Sequence, residues 1–106
     1  MNFAVSSDMR ADVAKIRLSG DLDSNSATLF KDAIEKLAPV SPKSLVLFMR
    51  DLNFMASAGL RILIFAKPKL DDQVTIYIVQ PQEQILDTLQ KTGFDQSVYI
   101  VDDDPM

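Results

Sequence analysis

The sequence contains no cysteine, no histidine and no tryptophan, and only three glycines among its 106 residues. Without cysteine there is no disulfide and no thiolate metal site. A domain that needs no disulfide fits a reducing setting, so a cytoplasmic location is expected. Without histidine the commonest general base and the commonest metal ligand are both missing. Any catalysis would rest on carboxylates, lysines, serines or tyrosines. The glycines stand far apart, so they form no phosphate-cradling loop. Long hydrophobic runs are lacking too. The stretch 62–66 is far too short to span a bilayer, and no membrane partner is expected. The opening residues Met1-Asn2-Phe3-Ala4-Val5-Ser6-Ser7-Asp8 carry no basic stretch ahead of an apolar one, so no secretory leader is expected. Positive charge is in short supply, with 11 Lys and Arg against 15 Asp and Glu, a net charge of −4. Such a balance repels phosphate backbones, and nucleic acid is not an expected partner.

What is present is ordinary for a globular chain: 47% hydrophobic and 25% charged residues, too apolar for a disordered segment. The length fits one domain, residues 1–106, with an acidic and frayed tail at 102–106. The Pro-rich stretch 39–42 reads as one loop and not as a linker.

The apolar pattern alternates between the two regular periods. Phe3-Ala4-Val5 and 13–18 read as strands, and Gly20-Asp21-Leu22-Asp23 ends the second. A helix is predicted over 24–37, with Ala27, Phe30, Ala33 or Ile34, and Leu37 on one face, Ser24 or Ser26 as cap, and Pro39 after it. The continuous apolar run 44–49 is that of a strand buried on both faces. Asp51-Leu52-Asn53-Phe54 reads as a turn, with Phe54 packed inward and Met49 and Met55 in the packing around it. Ser57 opens a second helix with Leu60, Leu63, Ile64 and Lys67 along one side, and Pro68 should stop or kink it near Lys67. A strand over 74–79, a third helix over 82–91 with Ile85, Leu86 and Leu89 inward, and a strand over 98–101 complete the order β-β-α-β-α-β-α-β. That order predicts an α/β fold: a mixed, mostly parallel sheet of four to five strands with helices packed on it.

The segment from Asp51 to Leu60 draws most interest. It leaves a buried strand and enters a helix, the kind of place where open α/β sheets gather their contacts. Two roles for Ser57 are compatible. As N-cap, its hydroxyl would accept from the N–H of Gly59 or Leu60, worth about 1 kcal/mol. As an exposed residue at a helix N-terminus, it is a place where a phosphate is electrostatically favoured, with Gly59 leaving room. Asp21 and Asp23 read either as turn residues that complement the following helix or as part of a partner surface bordering Ser57. Arg61 is either a solvated charge or a partner for phosphate on Ser57. The acidic pairs 71–72 and 102–104 read as solvated surface. A paired-carboxylate active site has no supporting basic or hydroxyl partner, so the chain is not read as an enzyme.

Phe54-Met55-Ala56-Ser57-Ala58-Gly59-Leu60 resembles the signature of the STAS family of bacterial anti-sigma factor antagonists, an apolar pair followed by Asp-Ser-Ser/Thr/Ala-Gly-Leu. Leu18-Ser19-Gly20-Asp21-Leu22-Asp23 resembles the family's second strand and its turn. Leu45-Val46-Leu47 with Asp51-Leu52 resembles its central strand, and 84–94, ending in Gly93-Phe94, its last helix. The resemblance covers nearly the whole chain. It implies a single STAS-like domain without catalytic residues or cofactors. It also implies a partner that is both anti-sigma factor and ATPase-fold serine kinase, with a phosphoserine phosphatase as a further partner. The position matching the phosphorylated serine is Ser57, and Asp21, Asp23, Ala56, Ala58, Gly59 and Arg61 would line the same surface. Added phosphate brings a charge of about −1.5 to −2 into that surface and would break the complex, freeing the partner to hold its sigma factor. Three positions depart from the family pattern: Ala56 replaces the usual Asp, Arg61 a small residue, and Pro68 falls where the helix usually continues. Ala56 keeps a second reading open, a STAS scaffold or interaction module in a larger assembly that works without phosphorylation.

Overall fold

The computed structural model describes residues 2–106. Its sheet is built from β1 (Ala4–Arg10), β2 (Val13–Leu22), β3 (Ser44–Met55), β4 (Thr75–Val79) and β5 (Tyr99–Val101), side by side in that order. The β1–β2 hairpin is antiparallel and every other pair is parallel. Each parallel step needs a crossover, and helices α1 (Ala27–Leu37), α2 (Ser57–Leu70) and α3 (Glu83–Thr92) supply them. Right-handed crossovers that always advance in one direction put all their helices on one face of the sheet. The core records this. Ile16, Leu45, Leu47, Ile76 and Ile78 from the strands form one cluster with Phe30, Ile34, Leu63, Ala66, Ile85 and Leu89 from the helices. The expected mixed, mostly parallel sheet of one α/β domain is thus observed, with five strands.

Several elements run differently from the sequence-based expectation. The residues 20–22 and 51–54 do not end strands; they extend β2 and β3 and pair with each other. Arg17 pairs with Phe48 and Ser19 with Asp51, then Gly20 with Leu52 and Asp21 with Phe54. At each of these two shifts β3 runs one residue more than β2. An extra residue in a strand reverses which face the next side chain meets. Met49 and Leu52 therefore both face the core, although three positions apart, and Phe54 is turned out to 47% exposure instead of packing inward. Gly20 lies in this paired region at φ +82°, where a Cβ would sit 2.1 Å from the carbonyl oxygen of Asn2. The close approach of residues 2–3 to β2 requires that glycine.

α1 starts at Ala27 instead of residue 24. α2 runs through Pro68 to Leu70 and does not stop at Lys67. Pro68 and Ile64, whose carbonyl loses its partner to the proline, are both exposed, so water can take the freed group. The buried stripe of α2 is Gly59, Leu63, Ala66 and Leu70; Ile64 and Phe65 are exposed. In α3, Ile85 and Leu89 are buried and Leu86 only partly so. Among the described residues no helix is long and apolar enough to cross a membrane.

Candidate functional site

The ends of β2 and β3 lie together, and the turns into α1 and α2 leave from them. Leu22 pairs with Met55, and the N–H of Ala56 donates to the carbonyl of Leu22 at 2.8 Å. This brings Asp21 and Asp23 to the same end of the sheet as Ala56, Ser57 and Ala58, the juxtaposition expected from the sequence.

The first turn is closed by its own side chains. Ser26 N–H donates to Asp23 Oδ1 at 2.9 Å, and Asp23 N–H donates to Ser26 Oγ at 2.9 Å. The Ser26 hydroxyl reaches the carbonyl of Asp21 as well, at 3.1 Å. The reciprocal pair has the form of a capping box drawn around the turn 23–26, just ahead of α1, whose own cap position Ser26 makes no side-chain cap bond. Hydrogen bonds from Ser26, backbone first and side chain second, hold the Asp23 carboxyl below its ordinary 3.8. A carboxyl with a lowered folded value supports the fold above that range, and its contribution fades as pH falls through the folded value. Asp23 thus has the turn role the sequence allowed it, and one of its oxygens is already engaged.

The second turn has no such closure. The cap position of α2 is Ala56, at φ −74° and ψ 166°, and no side chain caps it. Ser57 is therefore the first helical residue and not the N-cap, one position later than the sequence-based cap would need. The expected bond from Gly59 or Leu60 to its hydroxyl is not made; the N–H of Leu60 goes to the carbonyl of Ala56 at 3.1 Å. Ser57 is exposed and sits where the first N–H groups of a helix lack intrahelical acceptors. Arg61, also exposed, lies one turn further along the same helix and makes no ion pair with a described residue.

Gly59 has a different part from the one expected. It does not open space for a phosphate. It is buried, and a Cβ there would meet Cγ and Cδ2 of Leu22 at 2.7 Å. The missing side chain lets α2 settle directly on the end of β2, which fixes the height at which Ser57 emerges. Sequence pattern did not reveal this, because the partner of Gly59 lies 37 positions earlier in the chain.

Sequence reasoning also missed α3 as a wall of this region. Gln82 donates to the carbonyl of Arg50 at 2.9 Å and to Asn53 Oδ1 at 3.2 Å, and Gln84 donates to the carbonyl of Asn53. Phe54 and Met55 border a small hollow of about 120 Å³ with Gln84, Ile85 and Thr88. Glutamines at a helix start gave no signal, since only the fold shows that they face a strand end. Among the described residues no three potential metal ligands come together.

The signature spacing and this geometry agree with the match to a family model. The STAS domain model matches residues 5–104. The chain belongs to the STAS domain family. Solved STAS-like structures show the same fold. An anti-sigma factor antagonist from Mycobacterium paratuberculosis is 23% identical, with a TM-score of 0.83, over 99% of this chain and 87% of the other. The anti-sigma factor antagonist SpoIIAA in its unphosphorylated form is 18% identical, with a TM-score of 0.80, over 92% of this chain and 87% of its own. The Bacillus cell fate determinant SpoIIAA in its phosphorylated form superimposes with a TM-score of 0.73 at 18% identity, over 92% of this chain and 90% of the other. No curated protein sequence matches the chain. Within this STAS domain, the signature segment forms the end of β3 and the first turn of α2, with its serine exposed and its glycine buried.

Proposed function

We propose that this STAS domain is an anti-sigma factor antagonist: a binding module, not a catalyst, switched by phosphorylation of Ser57. The observation that carries the reading is the state of Ser57. It is exposed, makes no capping bond, and opens α2 at the signature position of a STAS domain. The N-terminal turn of a helix favours an added phosphate, through its unpaired N–H groups and its dipole. Arg61, one turn on, is placed to pair with it. The partner is an anti-sigma factor that is also an ATPase-fold serine kinase, and a phosphoserine phosphatase would reverse the modification. The surface comprises Ser57, Ala56, Ala58 and Arg61, with Asp21 and Asp23 beside it and Gly59 shaping it from below. A neutral hydroxyl suits a desolvated contact, and a phosphate in the same place repels acidic neighbours and demands water. The setting is the bacterial cytoplasm, and the outcome is control of sigma-factor-dependent transcription.

The test is incubation with candidate ATPase-fold serine kinases and ATP, read by intact mass and by affinity. The unaltered chain should gain one phosphate and Ser57→Ala none. Ser57→Asp should bind the kinase roughly tenfold or more weakly, the scale of like charges forced together at an interface. If no such partner binds, or if Ser57→Asp binds as well as the unaltered chain, the proposal is wrong. Ala56 favours one second reading, a scaffold or interaction module without a phosphoswitch, because no carboxylate stands beside the hydroxyl to orient it or a kinase-bound metal. Tight partner binding by Ser57→Ala, with no phosphate on the protein from cells, is the result that reading expects.

A further inference from the structure

The three helices cover one face of the sheet and leave the other without a layer. On that open face the strand register aligns Asp8, Lys15, Val46, Tyr77 and Tyr99 as successive partners across all five strands. Tyr77 and Tyr99 stack with ring centroids 5.5 Å apart, and the Arg17 guanidinium lies 4.6 Å above the Phe48 ring in the adjacent row. Val46 is fully buried although it is not part of the helix-side core, so side chains of the open face must cover it. The surface there is aromatic and cationic, on a chain whose net charge is −4.

The acidic segment 102–106 comes back over this face. Lys15 Nζ donates to Asp104 Oδ2 at 2.6 Å in a solvent-accessible contact, with the two side chains 24% and 35% exposed. The Lys15 bond, followed by the N–H of Met106, holds the Asp104 carboxyl below its ordinary value, and Arg17 adds to the attraction. Met106 borders a groove of about 280 Å³ lined by Asp8, Arg10, Val13, Lys15 and Arg17. An aspartate of the chain's own acidic segment thus already pairs with the basic side of the open face.

We infer that the helix-free face of the sheet is a second interaction surface, which takes an extended acidic peptide segment of a partner protein, with residues 102–106 as its intramolecular occupant. Lys15 and Arg17 supply the charge complement, and the Phe48 and Tyr77 rings supply flat apolar ground on either side of Val46. This surface lies on the face of the sheet opposite the helices and is independent of the switch at Ser57.

The test uses the full chain and a fluorescent hexa-aspartate peptide, with a single-stranded oligothymidylate of equal charge as the competing probe. Amide shifts are followed by 15N-resolved NMR. Hexa-aspartate should move amides of β2 and β4 and leave the first turn of α2 in place. Asp104→Asn, which releases the occupant, should bind the peptide roughly twofold to fivefold more tightly, the range spanned by one solvent-accessible ion pair. Lys15→Glu and the milder Lys15→Gln should weaken it, while phosphorylation at Ser57 stays unchanged. The inference is overturned if the peptide leaves β2 and β4 unmoved, if Asp104→Asn gains nothing, or if the oligothymidylate binds as tightly as the peptide.

Discussion

Two strand-to-helix turns stand side by side at one end of the sheet, and they are built in opposite ways. Between β2 and α1, Asp23 and Ser26 close the turn on itself through reciprocal hydrogen bonds. Between β3 and α2, Ala56 offers no side-chain acceptor and Ser57 keeps its hydroxyl in solvent. Both turns put a serine near a helix start, yet only one hydroxyl is committed to the fold. The difference separates a serine that holds structure from a serine whose hydroxyl is left exposed. It also shows that the second turn is held by other means: Gly59 docked on Leu22, and the backbone bond from Ala56 to Leu22.

The comparison can be broken most severely at Gly59. Gly59→Ala forces a methyl group into the Leu22 side chain, and overpacking of this kind costs about 1–3 kcal/mol. Thermal or denaturant melts should show that loss, and the shifted α2 should disturb amides around Ser57. A melt equal to that of the unaltered chain would mean that docking on Leu22 does not set the second turn.

Paired alanine substitutions sharpen the contrast directly. Ser26→Ala removes the acceptor of the Asp23 N–H and should cost about 1 kcal/mol. Ser57→Ala removes no intramolecular bond and should stay within about 0.5 kcal/mol of the unaltered chain. Equal losses in urea melts would erase the distinction between the two serines.

The smallest effect comes from supplying the missing cap. Ala56 has the extended backbone of an N-cap position, so Ala56→Asp should stabilise α2 by a few tenths to about 1 kcal/mol. It also restores the carboxylate usual in the STAS signature, and phosphate incorporation at Ser57 in the same kinase assay should rise. Stabilisation without faster phosphorylation would assign that carboxylate to helix capping alone.

Much of this was legible in the sequence, and the misses have common causes. The order of strands and helices followed from apolar period, because each element buries one face against the same core. The signature around Ser57 was legible because it depends on neighbours in sequence. The turn expected at 51–54 was wrong because Asp51 and Asn53 look like turn residues locally. Asp51 instead pairs with Ser19 of β2, the carbonyl of Asn53 accepts from Gln84 of α3, and the Asn53 side chain accepts from Gln82 just ahead of that helix. Phe54 looked like a core residue, and only the irregular register turned it outward. Pro68 looked like a stop, yet the carbonyl it leaves unpaired belongs to an exposed residue of α2.

By itself the sequence determined the class of fold, the order of its strands and α-helices and the place of the signature serine, since periodicity and local motifs are properties of neighbouring residues. Tertiary structure alone decided that β2 and β3 run on together past their expected ends, that Gly59 packs on Leu22, and that one face of the sheet is left for the acidic segment 102–106. Those outcomes depend on contacts between residues distant in the chain. No local pattern encodes which distant group will fill a given space or satisfy a given backbone bond.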